Sequence, residues 1–217
     1  MNVKHRSLAR SSKGRTAVSG TVNRGSIPCL AASNNLPLWG VLFWYTLTMK
    51  ILAEISEKSL GVGESEKLGG AYQLRKSSRA ILLNKDGNMA TQYLETYTYH
   101  KLPGGGVEEG ESTEAALKRE IMEEVGCDSE ILSEVGMTVE YRNKENLLHI
   151  SYCYVACVVG EIGEPSLEEG EIEEGQITLW LPPAQVLENM KNDSSEEYQS
   201  DFILKREMSF LAEYLSR

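Results

Sequence analysis

Aspartate and glutamate are absent from residues 1–48, although the whole chain of 217 residues contains 32 of them. The first segment therefore carries a net charge of +6, which leaves −16 for residues 49–217 when the total is −10. A strongly acidic body repels polyanions at long range, so we expect no nucleic acid as a partner. A small-molecule nucleotide stays compatible with this charge, because a metal ion and one local basic residue can neutralise a di- or triphosphate.

Cysteine is scarce, and its four occurrences are Cys29, Cys127, Cys153 and Cys157. Cys153 and Cys157 fall on one face of a predicted strand, roughly 13 Å apart at the usual rise per residue, which is too far for a disulfide. The sequence contains no CxxC pair and no Cys/His cluster that would indicate a zinc site. We therefore expect reduced thiols in a cytoplasmic protein.

A hydrophobic run long enough to cross a bilayer is also missing from the first segment. Its apolar stretch, residues 36–47, reads LPLWGVLFWYTL. A membrane-spanning helix needs about 20 apolar residues, so this stretch fits at most a membrane-interface segment. We expect no membrane partner.

Three origins of residues 1–48 stay open. An acid-free start that is rich in Arg and Ser is typical of an organellar transit peptide. The segment could instead be a functional arm, or it could be untranslated text, because residues 11–29 resemble a translated transfer-RNA gene and Met49 would serve as a start. In every case we expect a basic extension over 1–48 that is disordered or loosely attached, a lead-in over 49–71 and one domain over 72–217.

The region from Gly105 to Cys127 concentrates acid where a helix is predicted. Glu120, Glu123 and Glu124 stand at i, i+3 and i+4, so a helix places the three carboxylates on one face. Like charges at that spacing oppose helix formation, whereas a hard divalent cation would reverse the sign of their interaction. We interpret this face as a metal site.

This pattern resembles the signature of the Nudix hydrolases, a MutT-like family, which reads G-x5-E-x7-R-E-U-x-E-E-x-G-U with U a bulky apolar residue. The residues in register are Gly105, Glu111, Arg119, Glu120, Ile121, Glu123, Glu124 and Gly126. Cys127 replaces the final aliphatic residue, but a free Cys packs as a small hydrophobe, so the departure leaves the acids untouched. The wider resemblance runs from about Tyr72 to Leu215.

The resemblance implies a set of residue roles. In the family, the Glu after the motif Arg is a metal ligand and often the base, the last two Glu residues hold Mg²⁺, and the carbonyl before the first motif glycine adds an oxygen. These roles fall on Glu120, Glu123, Glu124 and Gly104, with Mg²⁺ as the cofactor and Mn²⁺ as an alternative. We expect Arg119 to act with these catalytic acids, either by orienting Glu120 or by pairing with another carboxylate.

Further site residues come from outside the motif. A carboxylate from the far side commonly completes the metal cluster in the family, and Glu164 is our choice among the acids of residues 161–174. Aromatic faces suit base recognition, which makes Tyr97, Tyr99 and Trp180 candidate substrate-binding residues. His149 lies within an apolar strand and is expected to be structural. His100 directly precedes the glycine loop, and we assign it no catalytic role.

The pattern of apolar residues predicts the order of elements. We expect strands over 72–84, from Met89 to about His100, over 131–141, over 147–159 and up to Leu181. Helices are predicted from Ser112 to Gly126, from Pro183 to about Met190 and from about Glu196 to Leu215. Strands flanked by helices give an α/β fold, an α/β/α sandwich around a mixed β-sheet, which is also the Nudix fold.

The expected function is Mg²⁺-dependent hydrolysis of a nucleoside diphosphate linked to another moiety. Nucleoside triphosphates, including oxidised ones, are the favoured substrates, with dinucleoside polyphosphates, nucleotide sugars and ADP-ribose as alternatives. A non-catalytic nucleotide sensor of the same fold is a second class of protein, although such proteins usually lose motif acids. Processing of nucleic-acid caps would need a basic surface, which residues 49–217 lack. A homodimer is left open.

Overall fold

The computed structural model describes residues 49–63 and 71–217. The basic extension and its apolar stretch lie outside the described residues. The strands are β1 (Ile51–Ser56), β2 (Gln73–Leu83), β3 (Met89–Leu94), β4 (Tyr99–Lys101), β5 (Asp128–Arg142), β6 (Leu147–Val159) and β7 (Gln176–Leu181). The helices are α1 (Glu57–Leu60), α2 (Thr113–Val125), α3 (Glu169–Glu173), α4 (Pro183–Asn192) and α5 (Tyr198–Leu215).

The seven strands form one mixed sheet in the order β1-β5-β6-β2-β3-β4, and β7 pairs with β3 away from that path. The β1–β5 and β2–β6 pairs are parallel, whereas the β5–β6, β2–β3, β3–β4 and β3–β7 pairs are antiparallel. Helices pack on this sheet, so the predicted α/β fold around a mixed sheet is confirmed.

Strand β2 is the centre of the molecule because both of its faces are covered. Ala80, Ile81 and Leu82 are fully buried. Ile81 belongs to a core cluster shared with α4 and α5, while Ala80 and Leu82 belong to a second cluster shared with α2. A run of consecutive apolar residues is typical of a strand that is buried on both faces.

The single strand predicted from Met89 to about His100 is wrong. The chain instead turns after Leu94 and returns as β4, so Tyr93 pairs with His100 and Leu94 with Tyr99. The Thr98 N–H donates to the Leu94 carbonyl at 2.7 Å, and Thr98 has a φ of 60°. Thr rarely adopts a left-handed backbone, so the alternation of tyrosines concealed this turn.

The segment expected to be a lead-in supplies the edge strand β1, which pairs in parallel with β5. Ile55 is fully buried, and Ser56 caps α1 through its side chain. The buried Glu57 carboxylate accepts hydrogen bonds from the Tyr198 hydroxyl at 2.6 Å and the Asn143 backbone N–H at 2.8 Å. The sheet therefore includes residues that precede position 72.

Helix α5 buries charge as well as apolar surface. Phe202, Phe210 and Leu211 are fully buried, whereas Leu215 at the last turn is exposed. The guanidinium of the buried Arg206 donates to Glu140 at 3.0 Å and to Glu207 at 2.7 Å. An ionic network therefore lies between this helix and strand β5.

Cys127, Cys153 and Cys157 are buried and free, and Cys29 lies outside the described residues. Across residues 49–63 and 71–217, none of the helices has the length and apolarity that a bilayer crossing requires.

Candidate active site

Helix α2 is held in place at both ends. At its start, the Ser112 side chain accepts the Ala115 N–H at 3.1 Å and caps the helix, in agreement with the predicted start. At its end, Gly126 adopts a φ of 75°, and a side chain there would meet the Gly163 carbonyl at 2.7 Å. The buried stripe of Leu117, Ile121 and Val125 fixes the rotation of the helix about its axis.

The glycine loop before α2 is paired along strand β2. Ser78 N–H donates to Gly105 O and Ala80 N–H donates to Pro103 O, both at 2.9 Å. A side chain on Gly104 would overlap the Ser78 carbonyl, and one on Gly105 would overlap the Glu120 carboxylate. The two glycines thus let the loop backbone approach both the sheet and an acid of α2.

Arg119 joins the loop to the acids. Its guanidinium donates to Gly106 O at 2.9 Å, to Glu120 at 2.9 Å and to Glu123 at 3.0 Å. It also donates to both carboxylate oxygens of Glu111, at 3.2 and 3.3 Å, and this pairing lowers the pKa of Glu111 and raises the pKa of Arg119. The guanidinium fork therefore fixes three carboxylates at once.

Glu124 points into the protein and is only 2% exposed. Its carboxylate accepts the Gly104 N–H at 2.5 Å and the Gln176 side-chain amide at 3.3 Å, and Lys101 Nζ lies 3.7 Å away. Burial raises the pKa of Glu124 to about 7 in spite of the nearby Lys101. The sequence pattern placed all three acids on one face but did not reveal that one of them is buried.

Glu120 and Glu123 differ in their surroundings although both meet Arg119. The Glu120 side chain is 12% exposed and the Glu123 side chain 37%. Burial raises the pKa of Glu120, and the Arg119 hydrogen bond opposes that shift. The Glu120 carboxyl is therefore partly buried beside the glycine loop and has a raised pKa.

Arg79 is a site residue that the sequence analysis missed. It is 7% exposed, and its Nη1 donates to the carbonyls of Leu102 and Gly104. Burial lowers the pKa of Arg79, while Glu207, Glu124 and Glu120 favour its charged form. The backbone of Gly104 is therefore held at its N–H by Glu124 and at its carbonyl by Arg79. An Arg within the buried half of strand β2 was the available signal.

The residues predicted to hold a metal are an oxygen-only set of carboxylates and one carbonyl, the chemistry that Mg²⁺ and Mn²⁺ prefer. Glu124 is buried and Glu120 is partly buried, and burial raises the pKa of both, so a divalent cation would stabilise their charged forms. Within the described residues, no three side chains of His, Cys, Asp or Glu are already gathered as a metal cage. Arg119 holds Glu120 and Glu123, and Arg79 holds the Gly104 carbonyl. The chemistry of these oxygen donors fits the cation, but in this arrangement the oxygens accept hydrogen bonds from Arg119 and Arg79.

Glu164 lies beside the end of α2 through its backbone. Gly163 N–H donates to Gly126 O at 2.8 Å and Ser166 N–H donates to Glu123 O at 2.7 Å, while the Glu164 side chain is exposed. Among the neighbouring acids, Glu171 is close enough for its charge to raise the pKa of Glu124. Its carboxylate accepts the Glu168 N–H at 2.9 Å. Neither acid has a described contact with the carboxylates of α2.

The three candidate substrate-binding aromatics are not brought together. Tyr99 is 6% exposed and belongs to the core cluster of α4 and α5. Trp180 packs against the cluster of α2 instead. Tyr97 stacks on Tyr99 with ring centroids 6.1 Å apart and lines a cavity with Ser194 and Glu197. Tyr97 thus lines this cavity, whereas Tyr99 and Trp180 do not.

His100 pairs with an acid that the sequence analysis did not consider. Its Nδ1 lies 2.8 Å from Asp193 Oδ2, which also accepts the His100 backbone N–H at 2.8 Å. Asp193 directly follows α4, 93 residues along the chain, so no local pattern could connect the two.

A model of the NUDIX domain matches residues 73–201, which is more than half of the chain. The chain belongs to the Nudix family. The resemblance based on the motif is thereby confirmed, and the Nudix domain covers β2 to the start of α5. An RNA pyrophosphohydrolase of Wolbachia pipientis subsp. Culex pipiens (strain wPip) is 35% identical over 74 residues, which are 33% of this chain and 46% of the relative. The chain thus aligns with about half the length of that relative.

Solved structures of Nudix proteins share the fold. A NUDIX hydrolase from Nitrosomonas europaea has a TM-score of 0.51 at 15% identity, covering 66% of this chain and 90% of that protein. The MutT protein from Methanosarcina mazei Go1 has a TM-score of 0.45 at 17% identity, covering 63% of this chain and 94% of that protein. At these identities the first similarity supports the fold alone.

Proposed function

We propose that this Nudix protein hydrolyses the pyrophosphate bond of a nucleoside diphosphate linked to another moiety. The observation that supports the proposal most is the group of Arg119, Glu120, Glu123 and Glu124 beside the Gly104–Gly106 loop. A non-catalytic sensor needs no buried carboxyl with a raised pKa, whereas a hydrolase uses one to accept a proton from water.

The roles of the acids follow from their surroundings. The Glu120 carboxylate accepts the proton of the attacking water, and Arg119 fixes its orientation. Glu123 and Glu124, with Glu120 and the Gly104 carbonyl, would hold the divalent cation. When bound, that cation supplies positive charge to the phosphate oxygens. Lys101, 3.7 Å from Glu124, adds a cation that can meet a phosphate oxygen at the same place.

We favour a nucleoside triphosphate, including an oxidised one, as the substrate, with the monophosphate and pyrophosphate as products. The charge of −16 on residues 49–217 supports a small nucleotide over a long polyanion. A second candidate is the 5′-phosphorylated end of an RNA. It is favoured by the 74-residue similarity to a protein named RNA pyrophosphohydrolase.

To test these candidates, the full chain is incubated with Mg²⁺ and one compound at a time. The compounds are nucleoside triphosphates, oxidised triphosphates, dinucleoside polyphosphates, nucleotide sugars, ADP-ribose and 5′-triphosphorylated RNA. Phosphorus NMR then identifies the products. Release of pyrophosphate from a triphosphate supports the proposal, and release from RNA alone supports the second candidate. Tight binding of a nucleotide without turnover of any compound contradicts the proposal and favours a sensor.

A further inference from the structure

Two buried charged side chains, Arg79 of β2 and Glu207 of α5, each keep one polar atom without a hydrogen bond. Arg79 Nε is a donor and Glu207 Oε2 is an acceptor, and neither has a partner among residues 49–63 and 71–217. A buried polar atom that stays unpaired costs free energy, so each such atom indicates a partner in another state of the protein. We propose that Glu207 is a positioning residue for the metal site, which accepts the Nε–H of Arg79 when a divalent cation binds the Gly104 carbonyl. The inference rests on the proposed function, because it concerns the cation of the same site.

Arg79 lies on the face of the sheet that α5 covers. Its register partner on β6 is Cys153, and Ile81 lies two residues further along β2. Both belong to the core cluster of α4 and α5, and paired or alternate residues of strands share one face. From this face the Arg79 Nη1 donates to the carbonyls of Leu102 and Gly104. Arg79 therefore connects the α5 side of the sheet with the loop that carries an expected metal ligand.

Glu207 is held by only one of its two oxygens. Arg206 donates to Glu207 Oε1 from Nε at 3.0 Å and from Nη2 at 2.7 Å. Oε2 accepts no hydrogen bond in the described part of the chain, although a carboxylate can accept donors at both oxygens. Burial and the charge of Arg206 lower the pKa of Arg79, and the charge of Glu207 opposes this shift more than the acids of α2 do. Glu207 is thus the acid with the strongest charge interaction with Arg79.

The Gly104 carbonyl is the point where a guanidinium and a divalent cation would compete. Arg79 donates to this carbonyl, so a cation bound to the same oxygen would have a positive charge beside it. Like charges repel strongly where water is excluded, so cation binding favours an Arg79 that is better neutralised and less closely bound to the carbonyl. Glu207 Oε2 provides both a negative charge and an acceptor for Nε–H. Glu207 therefore favours metal binding through Arg79, without being a metal ligand itself.

Affinity for Mn²⁺ tests the proposal when it is measured on the full chain by the relaxation of water protons. Glu207→Gln keeps an oxygen that accepts from Arg206 and loses the negative charge and the second acceptor. We expect this variant to bind Mn²⁺ about 10-fold more weakly than the unmodified protein. In an Arg79→Met background the same substitution should have no effect, because the side chain through which it acts is missing. Asp201→Asn removes an exposed acid from the same helix and is the matched control, which should preserve the affinity.

NMR of the arginine Nε–H groups gives a second measurement that needs no substitution. It compares the full chain with and without saturating Mg²⁺. The Arg79 Nε–H signal should move to lower field and exchange more slowly with water when Mg²⁺ is bound, because this group gains an acceptor. The Arg206 Nε–H already donates to Glu207 at 3.0 Å, so its signal is the internal reference.

The outcomes separate this positioning role from a purely structural one. An equal loss of Mn²⁺ affinity on Glu207→Gln with and without Arg79 would show a structural role and overturn the proposal. An unchanged affinity in the folded variant, an Arg79 Nε–H signal that saturating Mg²⁺ leaves in place, or no binding of Mn²⁺ at millimolar concentration would overturn it as well. If Glu207→Gln does not fold, the NMR comparison on the unmodified protein decides.

The same outcomes are distinct from those of the hydrolysis assay, because neither measurement involves a nucleotide. A chain that shows the Arg79–Glu207 coupling but hydrolyses no compound keeps this inference and loses the proposed function. A chain that hydrolyses a nucleotide while Mg²⁺ leaves the Arg79 signal unchanged keeps the proposed function and loses this inference.

Discussion

At the scale of single residues, two buried charged side chains bind the backbone of Gly104. Glu124 accepts its N–H at 2.5 Å, and Arg79 donates to its carbonyl. Neither contact depends on residues close in sequence to Gly104, since one partner lies on α2 and the other on β2. The proposed site therefore relies on Arg79, a residue outside the motif, to position a backbone group inside it.

Replacing Arg79 should reduce turnover by more than a loss of folded protein would explain. Arg79→Met removes the two hydrogen bonds from Nη1 to the loop carbonyls, and we expect turnover to fall about 10- to 100-fold because a displaced loop misplaces the reacting groups. Arg79→Lys keeps a charge but loses the guanidinium fork, so it should recover part of that loss. The measurement is kcat and KM, together with Mn²⁺ affinity by paramagnetic titration. A variant that loses stability but binds Mn²⁺ and turns over normally would show that Arg79 is only structural.

At the scale of elements, the glycine loop packs so closely against helix α2 that neither can move without displacing the other. Gly104 leaves room for the Ser78 carbonyl, and Gly105 leaves room for the Glu120 carboxylate. Gly106, by contrast, has open space around the position of a side chain. Among these three consecutive glycines, only Gly104 and Gly105 lie where a side chain would overlap neighbouring atoms.

Two alanine substitutions separate these requirements. Gly104→Ala should clash with strand β2 in a backbone conformation with a φ of 124°, and we expect it to lower the free energy of unfolding by about 1–3 kcal/mol or more. Gly106→Ala is the matched control, with an expected change within about 0.5 kcal/mol. Urea unfolding and turnover of both variants check this. Equal effects of the two substitutions would contradict the account of the loop.

Local signals explain which elements could be predicted. The Ser112 cap and the Gly126 end of α2 are local, and β6 was predicted with its observed bounds, Leu147–Val159. The turn at Thr98 was missed because no Gly, Asn or Pro indicates it. Strand β1 was missed because a six-residue strand becomes stable only when it pairs with β5, and that pairing is tertiary.

At the scale of the whole molecule, a buried ionic network ties the sheet to α5. Glu140 is fully buried and accepts hydrogen bonds from Arg206 at 3.0 Å and Arg142 at 2.8 Å. His149 lies beside it, with Nδ1 3.5 Å from the Glu140 carboxylate and Nε2 3.0 Å from Ser77. The sequence predicted a structural His149 but none of its partners, because they come from three separate elements. The contacts of Arg79 and Asp193 could not be predicted from the sequence for the same reason.

This network should make the protein sensitive to acid. Burial lowers the pKa of His149 to about 4, since two arginines already balance Glu140. The unfolded chain therefore takes up the proton first, and stability is lost as pH falls from about 6.5 towards 4. His149→Gln should lack that loss, which amounts to at most about 3 kcal/mol. Urea unfolding of both proteins between pH 7 and pH 4.5 gives the difference, and parallel curves would contradict the assignment.

The most direct test of the account compares Glu120→Gln and Glu124→Gln with Glu109→Gln, an exposed acid in the same loop region. Turnover of the preferred substrate and affinity for Mn²⁺ are measured for each folded variant of the full chain. We predict that the first two variants lose about 10²- to 10⁴-fold in turnover and bind Mn²⁺ more weakly, while Glu109→Gln behaves like the unmodified protein. Unchanged turnover in Glu120→Gln and Glu124→Gln would contradict the assignment of the active site to these acids.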